Sequence, residues 1–152
     1  MRLVRSSVIV DRPIHVVFDF LAEGRNNPTW RSDVTLAARI AGTGADLGVG
    51  AAYIQKVVDR RGRTVDETYH VTAYEPPHLV EFTVRRGTTR TIGRFTLAAI
   101  DRGTTHVEFT LRRVSRDYRV TRRSDHRSQL QERVDSIAGL PAAMKDEGAL
   151  PL

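Results

Sequence analysis

Most of the chain alternates between apolar and polar residues with a period of two, which is typical of β-strands that bury one face. The pattern is clear near the end of the chain, where Val107, Phe109 and Leu111 alternate with polar residues. Short turns of polar residues and glycine separate the stretches, so neighbouring strands are expected to run antiparallel. The predicted strands cover residues 3–10, 33–40, 51–58, 63–74, 79–85, 90–100 and 104–114.

Residues 11–30 have the period of a helix instead. Asp11 is a candidate N-cap, and Pro13 suits a first helical turn, where its missing N–H costs nothing. Apolar residues follow at the spacing of one helix face: Ile14, Val17, Phe18 and Leu21. A turn then leads to Trp30, the only tryptophan of the chain. A short helix and a turn therefore place one large aromatic side chain early in the fold.

A sheet with one buried face needs a second layer to cover it. The candidate is a long helix that begins at Ser124 or Asp125 and carries an apolar stripe. The residues of this stripe are Leu130, Val134, Ile137, Ala138 and Met144. Gly139 and Pro141 interrupt the pattern, and a proline removes a helical hydrogen bond, so we expect a kink or break there. The prediction is an α+β fold: a seven-stranded curved antiparallel sheet wrapped around a long C-terminal helix, with two short helices after strand 1.

Length and composition narrow the classes of protein. A chain of 152 residues predicts one domain, here 1–147, with a frayed tail at 148–152. The chain has no cysteine, which excludes a disulfide framework, a cysteine metal site and a cysteine nucleophile. The first residues do not have the pattern of a signal peptide, and no segment approaches the ~18 apolar residues of a membrane span. We therefore expect a soluble cytoplasmic protein.

Four short motifs resemble one family. Pro13, Val17-Phe18, Glu23 and Pro28-Thr29-Trp30 are similar to its first-helix signature, and Gly48-Val49-Gly50 before Tyr53 resembles its entry to the third strand. The segment 71–77, which ends in Glu-Pro-Pro, and Gly103-Thr104-Thr105 resemble its later turns. Together they cover nearly the whole chain in the right order. The family is the polyketide cyclase/dehydrase and lipid-transport family of the START-like, pollen-allergen-like helix-grip superfamily.

This resemblance implies a helix-grip fold with a cavity between the sheet and the last helix. Its members include carriers, hormone receptors, cyclases and ubiquinone-binding proteins, so the fold does not decide the function. Strand parity then predicts which side chains face inward. The expected lining residues are Trp30, Tyr53, Gln55, Glu67, Tyr69, Phe82, Phe95, Phe109, His126, Leu130 and Val134. A β-bulge would reverse any of these assignments.

Glu67 is the one weak candidate for catalysis. An inward carboxylate in an apolar cavity has a raised pKa and can act as an acid or a base. Alternatively, Glu67 pairs with an arginine on a neighbouring strand, such as Arg94, or points outward. Apart from His126, the histidines are interpreted as surface or turn residues; they are His15, His70, His78 and His106. No histidine pair shows ligand spacing with a carboxylate, so we expect no metal site and no cofactor.

The chain carries a formal net charge of +6, and its basic residues are nearly all arginine. They are densest in 112–127, at the end of the last strand and the entry to the long helix. Three interpretations remain open: a solvated basic rim, contact with anionic head groups or an acidic partner protein, and binding to nucleic acid. Nucleic acid is the least favoured, because only Tyr118 supplies an aromatic ring for base stacking.

Three functional hypotheses follow. The preferred one is a carrier or sensor that binds a small hydrophobic molecule, such as a lipid, an isoprenoid quinone or a polyketide. The second is a cofactor-independent polyketide cyclase or dehydrase, in which Glu67 or a tyrosine moves protons. The third is an interaction protein that uses the basic 112–127 segment to bind RNA or an acidic partner. The protein is expected to be a monomer or a homodimer.

Overall fold

The computed structural model describes residues 3–40, 47–114 and 123–148, without the side chains of 123–128 and 146–148. Every predicted strand is confirmed, and each observed bound lies within one residue of the predicted one. The elements in chain order are β1 (Val4–Val10), α1 (Ile14–Ala22), a 3-10 turn (Gly24–Asn26), α2 (Asn27–Trp30), β2 (Val34–Arg39), β3 (Ala52–Val58), β4 (Thr64–Glu75), β5 (Leu79–Arg86), β6 (Thr89–Asp101), β7 (Thr104–Val114), α3 (Arg123–Asp135), a second 3-10 turn (Ser136–Gly139) and α4 (Leu140–Gly148).

The strands form one antiparallel sheet in the order β1-β7-β6-β5-β4-β3-β2. Strands β2 to β7 follow one another as a meander, while β1 pairs with β7 at the far side. The helices cover the inner face of this sheet: α1 contacts β6 and β7, and α3 contacts β1 and β7. The predicted α+β helix-grip fold is therefore confirmed.

Strand β2 departs from its predicted alternation. The alternation predicts that Val34, Leu36, Ala38 and Ile40 share one face, but only Val34 is buried, and Leu36 is 48% exposed. The pairing of β2 with β3 shifts register between Val34 and Leu36. A bulge at this point adds one residue to β2, so every following side chain changes face. The prediction that Leu36 and Ala38 face inward is wrong for this reason.

Helix α1 begins differently from the prediction. Pro13, and not Asp11, is the N-cap, and no side chain caps this end. The Pro13 carbonyl instead accepts from the backbone N–H groups of Val16 and Val17 at 3.0 and 3.1 Å. Asp11 lies two residues before the cap and is exposed, so the predicted capping role is wrong. The predicted apolar face is otherwise buried, and only Ile14 remains partly accessible.

The C-terminal helix is interrupted where the sequence predicts it. Helix α3 ends at Asp135, a 3-10 turn follows, and Pro141 is the second residue of α4, where a proline needs no N–H partner. The turn changes the phase of the apolar stripe. Ala138 is consequently exposed, against the prediction, while Leu140 and Ala143 join the core. The interruption also lets Gly139 approach the Trp30 backbone, since a Cβ at Gly139 would lie 2.5 Å from the Trp30 carbonyl oxygen.

No helix in the described parts of the chain is both long and apolar enough to cross a membrane. The predicted tail begins at Gly148, which ends α4, and its other residues lie outside the described ranges.

Candidate functional site

A continuous row of aromatic rings lies between the sheet and the C-terminal helices. We call it the aromatic row; its members are Trp30, Tyr53, Tyr69, Phe82, Phe95 and Phe109, all buried. Successive ring centroids along β3 to β7 are 5.5, 4.6, 5.4 and 4.6 Å apart. Trp30 closes the row with edge contacts at 5.9 Å to Phe95 and 6.1 Å to Phe109. The predicted inward direction of these side chains is confirmed, and their role in ligand binding stays a prediction.

Two glycines make room for the row. Gly93 on β6 lies opposite Phe82 on β5, and a Cβ at this glycine would overlap two carbon atoms of the Phe82 ring. Gly24 lies against Tyr53, where a Cβ would come within 2.8 Å of the ring. A larger residue at either position would push a ring out of place, so the row depends on close backbone approach.

Leu130 and Val134 of α3 are buried over the inner face of the sheet, as predicted. His126 is also on α3, but its side chain lies outside the described residues. The rings and α3 side chains therefore occupy space where the family resemblance predicts a cavity. A ligand in this interior has to replace ring–ring contacts.

Several polar atoms in this apolar interior have no hydrogen-bond partner among the described residues. They are the hydroxyls of Tyr53 and Tyr69, the indole Nε1 of Trp30 and the amide Oδ1 of Asn27. A buried polar group without a partner costs about 1–3 kcal/mol, so native proteins keep few of them. Tyr53 and Tyr69 are paired across β3 and β4, and their rings are in contact with centroids 5.5 Å apart. The interior therefore holds polar groups whose hydrogen bonds the described residues do not satisfy.

Burial keeps both hydroxyls in their neutral form. It raises the pKa of Tyr69 well above its ordinary value, and it also raises the pKa of Tyr53, with a further contribution from the negative charge of Glu23. A neutral phenol donates one hydrogen bond and accepts others. Each tyrosine can thus donate to a carbonyl or hydroxyl oxygen at neutral pH.

Glu67 lies beside the aromatic row at the centre of an ion-pair cluster. Its side chain has no exposed surface. Gln55 donates to Oε1 at 3.0 Å, and one Arg133 nitrogen donates to Oε1 and Oε2 at 3.0 and 3.1 Å. Arg86 donates to Oε2 from Nε at 3.0 Å, and a terminal nitrogen of the same guanidinium forms an ion pair with this oxygen at 2.7 Å. Gln55 in turn accepts from the Asn27 amide at 3.2 Å, which links this cluster to α2.

These contacts decide the charge of Glu67. Burial by itself raises the pKa of a carboxyl, but the positive charges of Arg133 and Arg86 and the hydrogen bond from Gln55 outweigh it and lower the pKa of Glu67. The expectation of a raised pKa is therefore wrong. The alternative of an arginine partner is correct in kind, but Arg94 is not that partner, because it binds Glu81 at 2.6 Å on the outer face. An ionised carboxylate with both oxygens engaged is a weak base.

Arg86, Arg113 and Arg133 are not among the site residues predicted from the sequence, although Arg113 belongs to the basic 112–127 segment. The alternation of inward and outward side chains along β5 and β7 could have identified Arg86 and Arg113. Arg86 continues the inward positions of β5 after Val84, and Arg113 continues those of β7 after Leu111. These strands end at the same side of the sheet, so their last inward side chains meet there. Arg133 could not be found in this way, because it lies on α3 next to the buried Val134.

A polar cleft of about 590 Å³ opens at this end of the sheet. Arg86, Arg113 and Arg133 line it together with Val57, Val58 and several charged residues of the β3–β4 turn. The turn residues are Asp59, Arg60, Arg61 and Arg63, and the other lining residues are Asp33, Gln129 and Glu132. The aromatic row does not line this cleft, and the Glu67 cluster separates the two.

The basic 112–127 segment is described only in part. Arg112 is exposed and Arg113 points inward into the cleft, while 115–122 and the side chains of 123–128 lie outside the described residues. The three interpretations of this segment, as a solvated rim, as a contact for anionic head groups or an acidic protein, and as a nucleic-acid site, stay predictions. The described residues hold no group of three or more His, Asp or Glu side chains placed to bind a metal ion.

Known structures share this fold at low sequence identity. A START superfamily protein from Mycobacterium smegmatis is 12% identical, with 95% of this chain and 97% of that chain covered and a TM-score of 0.74. The Zhui aromatase/cyclase from Streptomyces sp. R1128 is 16% identical, with 96% and 92% covered and a TM-score of 0.71. The di-domain aromatase/cyclase BexL from the BE-7585A biosynthetic pathway is 16% identical with a TM-score of 0.71. Here 95% of this chain matches 47% of that one, so the chain spans about half its length.

At these identities the similarity supports the fold alone. No curated protein sequence matches the chain. The family model described as "Polyketide cyclase / dehydrase and lipid transport", however, matches residues 1–136. This match covers every strand, α1, α2 and α3. The chain therefore belongs to the polyketide cyclase/dehydrase and lipid transport family.

Proposed function

We propose that the protein binds a small hydrophobic molecule between the sheet and the C-terminal helices, as a carrier or sensor. Family and fold support binding of this general kind. The observation that carries the proposal is the set of unpaired polar atoms in the interior, above all the hydroxyl of Tyr69, since the Tyr53 hydroxyl lies close enough to the Glu23 carboxylate for that charge to raise its pKa. A ligand that is mostly apolar but carries a keto or hydroxyl oxygen matches this combination of rings and donors.

The energetics of such a ligand follow from burial and pairing. Apolar surface removed from water contributes about 25 cal/mol per Å². A hydrogen bond to a tyrosine hydroxyl that is otherwise unpaired adds about 0.5–1.5 kcal/mol and removes a cost already present in the empty protein. Because the rings contact one another, binding has to rearrange the aromatic row. Trp30 belongs to this row, so its fluorescence should change when the ligand binds.

The first experiment is native mass spectrometry of the gently purified protein, with denatured extracts analysed alongside. A co-purifying hydrophobic molecule at near-stoichiometric level supports the carrier function and identifies the ligand class. The ligand so identified, or otherwise a panel of lipids, quinones and aromatic polyketides, is then titrated while Trp30 fluorescence is recorded. If no hydrophobic compound co-purifies and none changes this fluorescence, the proposal is wrong.

The variants Tyr53→Phe and Tyr69→Phe test whether the two buried hydroxyls contribute to ligand binding. Each variant removes one unpaired hydroxyl and keeps the ring, so we expect the free protein to be as stable as the wild type or more stable. Ligand affinity should fall about 2- to 10-fold, the value of one hydrogen bond. Tyr74→Phe is the matched control, because Tyr74 packs against Phe18 outside the aromatic row. Equal affinities in all three variants would contradict the assigned role of the hydroxyls.

One observation also favours a cofactor-independent cyclase or dehydrase. Two neutral phenols whose rings are in contact can donate to a ketone oxygen as it gains negative charge during aldol closure. Glu67 is less suited to be the base, since two arginines hold it ionised and hydrogen-bonded. A turnover assay on cyclisation substrates separates the hypotheses. Turnover that is lost in Tyr69→Phe while binding persists would favour the enzyme.

A further inference from the structure

The cleft at the end of the sheet holds more positive charge than its acidic residues compensate. Each of its three carboxylates is already paired: Asp33 with Arg31 at 2.9 Å, Asp59 with Arg63 at 3.0 Å and Glu132 with Arg60 at 2.7 Å. Because these carboxylates are already paired, they are not the partners of the three arginines deeper in the cleft, Arg86, Arg113 and Arg133.

The deeper arginines share a single carboxylate. Glu67 accepts from Arg86 and Arg133 as well as from Gln55, and both of its oxygens are engaged. It has no direct contact left for Arg113, which no carboxylate pairs within the described parts of the chain. Three guanidinium groups therefore surround one negative charge.

Two of these arginines also have donors that no described residue uses. The Nε atoms of Arg113 and Arg133 are buried and lack a hydrogen-bond partner in the described structure. Leaving the donor of a charged group buried and unpaired costs more than leaving a neutral one. Burial and the neighbouring Arg86 lower the pKa of Arg113, and burial lowers the pKa of Arg133 to about 10, so both remain charged at neutral pH.

We propose that Arg113, together with Arg86 and Arg133, binds the anionic group of an amphipathic ligand, either a carboxylate or a phosphate. The planar fork of a guanidinium matches both groups. Arg86 and Arg133 bind Glu67, which lies two residues from Tyr69 on the buried face of β4, so the cleft borders one end of the aromatic row. This inference names the ligand class of the proposed function and rests on that function for the apolar part.

The test compares three ligands with the same chain: dodecanoate, dodecyl phosphate and dodecanol. Binding is measured by calorimetry and by Trp30 fluorescence at fixed ionic strength, below the aggregation concentration of each ligand. We expect at least one anion to bind about 10-fold tighter than the neutral alcohol, which corresponds to one or more charge-assisted hydrogen bonds. The preferred anion distinguishes a carboxylate ligand from a phosphate ligand.

Arg113→Gln should remove most of this preference while leaving dodecanol binding within about 2-fold of the wild type. Arg94→Gln is the matched control, since it removes the same charge from an arginine on the outer face and should keep the preference. Arg113→Lys retains the charge without the fork, so it should recover only part of the preference. Thermal unfolding of each variant without ligand is recorded as well, so that a loss of affinity caused by misfolding can be recognised.

The outcomes separate the two proposals. Dodecanol binding as tightly as both anions overturns the anion site and leaves the hydrophobic binding function standing. An equal loss of preference in Arg94→Gln and Arg113→Gln also overturns the site, since the effect is then one of net charge. Anion binding that leaves Trp30 fluorescence unchanged supports the cleft site and contradicts the interior site. Binding of none of the three ligands overturns both.

Discussion

Replacing Glu67 with glutamine tests whether the ion-pair cluster stabilises the fold. Glu67→Gln keeps the size of the side chain and an oxygen that can accept from Gln55. It removes the carboxylate with which both Arg86 and Arg133 form ion pairs. The amide NH₂ group also faces a guanidinium, so one donor opposes another. We therefore expect the variant to fold and to be clearly less stable.

The magnitude follows from burial. Breaking a buried ion pair by removing one partner costs about 3–5 kcal/mol. Glu67 is completely buried, but the side chains of Arg133 and Arg86 are 16% and 35% exposed. Water can solvate part of their unpaired charge, which reduces the cost to about 2–3 kcal/mol. This is a large share of the ~5–15 kcal/mol that stabilises a typical domain.

Urea unfolding at pH 7 measures this change in the free energy of unfolding. The matched control is Glu81→Gln, because Glu81 also pairs with an arginine, but both partners are accessible to water. Its cost should stay within about 1 kcal/mol. A Glu67→Gln variant that loses no more stability than Glu81→Gln would refute the reasoning.

The same variant has a predicted pH dependence. The folded state lowers the pKa of Glu67 below its ordinary value of 4.5, so the unfolded chain binds the proton more readily. The stabilisation by Glu67 is therefore complete above about pH 4.5 and is lost as the pH falls toward the lower folded value. The stability difference between wild type and Glu67→Gln should shrink over that acidic range. A difference that stays constant from pH 7 to pH 3 would contradict this assignment.

Two further predictions concern the aromatic row. Gly93→Ala should lower the free energy of unfolding in urea by about 1–3 kcal/mol, because the added methyl group overlaps the Phe82 ring. Gly103→Ala is the control and should have a small effect, because a Cβ at Gly103 meets only Asp101, at 4.0 Å. An ultraviolet titration should find that Tyr53 and Tyr69 ionise at a higher pH than a free tyrosine. Since folding raises the pKa of both, their contribution to stability is complete below pH 10 and declines above it. Full ionisation of all four tyrosines at pH 10–11 in folded protein would refute this.

Much of the fold follows from the sequence because a period of two is a local property. Once each strand is identified, antiparallel pairing through short turns defines most of the sheet order. The same alternation identifies the inward positions, including the residues of the aromatic row. It fails at β2 because a bulge adds one residue to the strand, and no local pattern announces that Leu36 turns outward.

The candidate site was predictable only in its apolar part. Parity along β5 and β7 also points to Arg86 and Arg113, but their charges favour an outward interpretation unless a partner is known. The partner of Arg86 is Glu67 on β4, and the second partner of Glu67 is Arg133, on a helix 66 residues further along the chain. Ion pairs between such distant elements depend on how α3 lies across the sheet.

The sequence by itself determined the strands, the covering helix, the family resemblance and the row of inward rings, because each depends on hydrophobic periodicity or short motifs. Only the tertiary structure decided the charge of Glu67, since burial and two arginine neighbours shift its pKa in opposite directions. It also decided which polar atoms lack partners and where the arginine-lined cleft opens. The physical reason is that solvation, pairing and electrostatic interactions depend on distances between residues that are far apart in the chain.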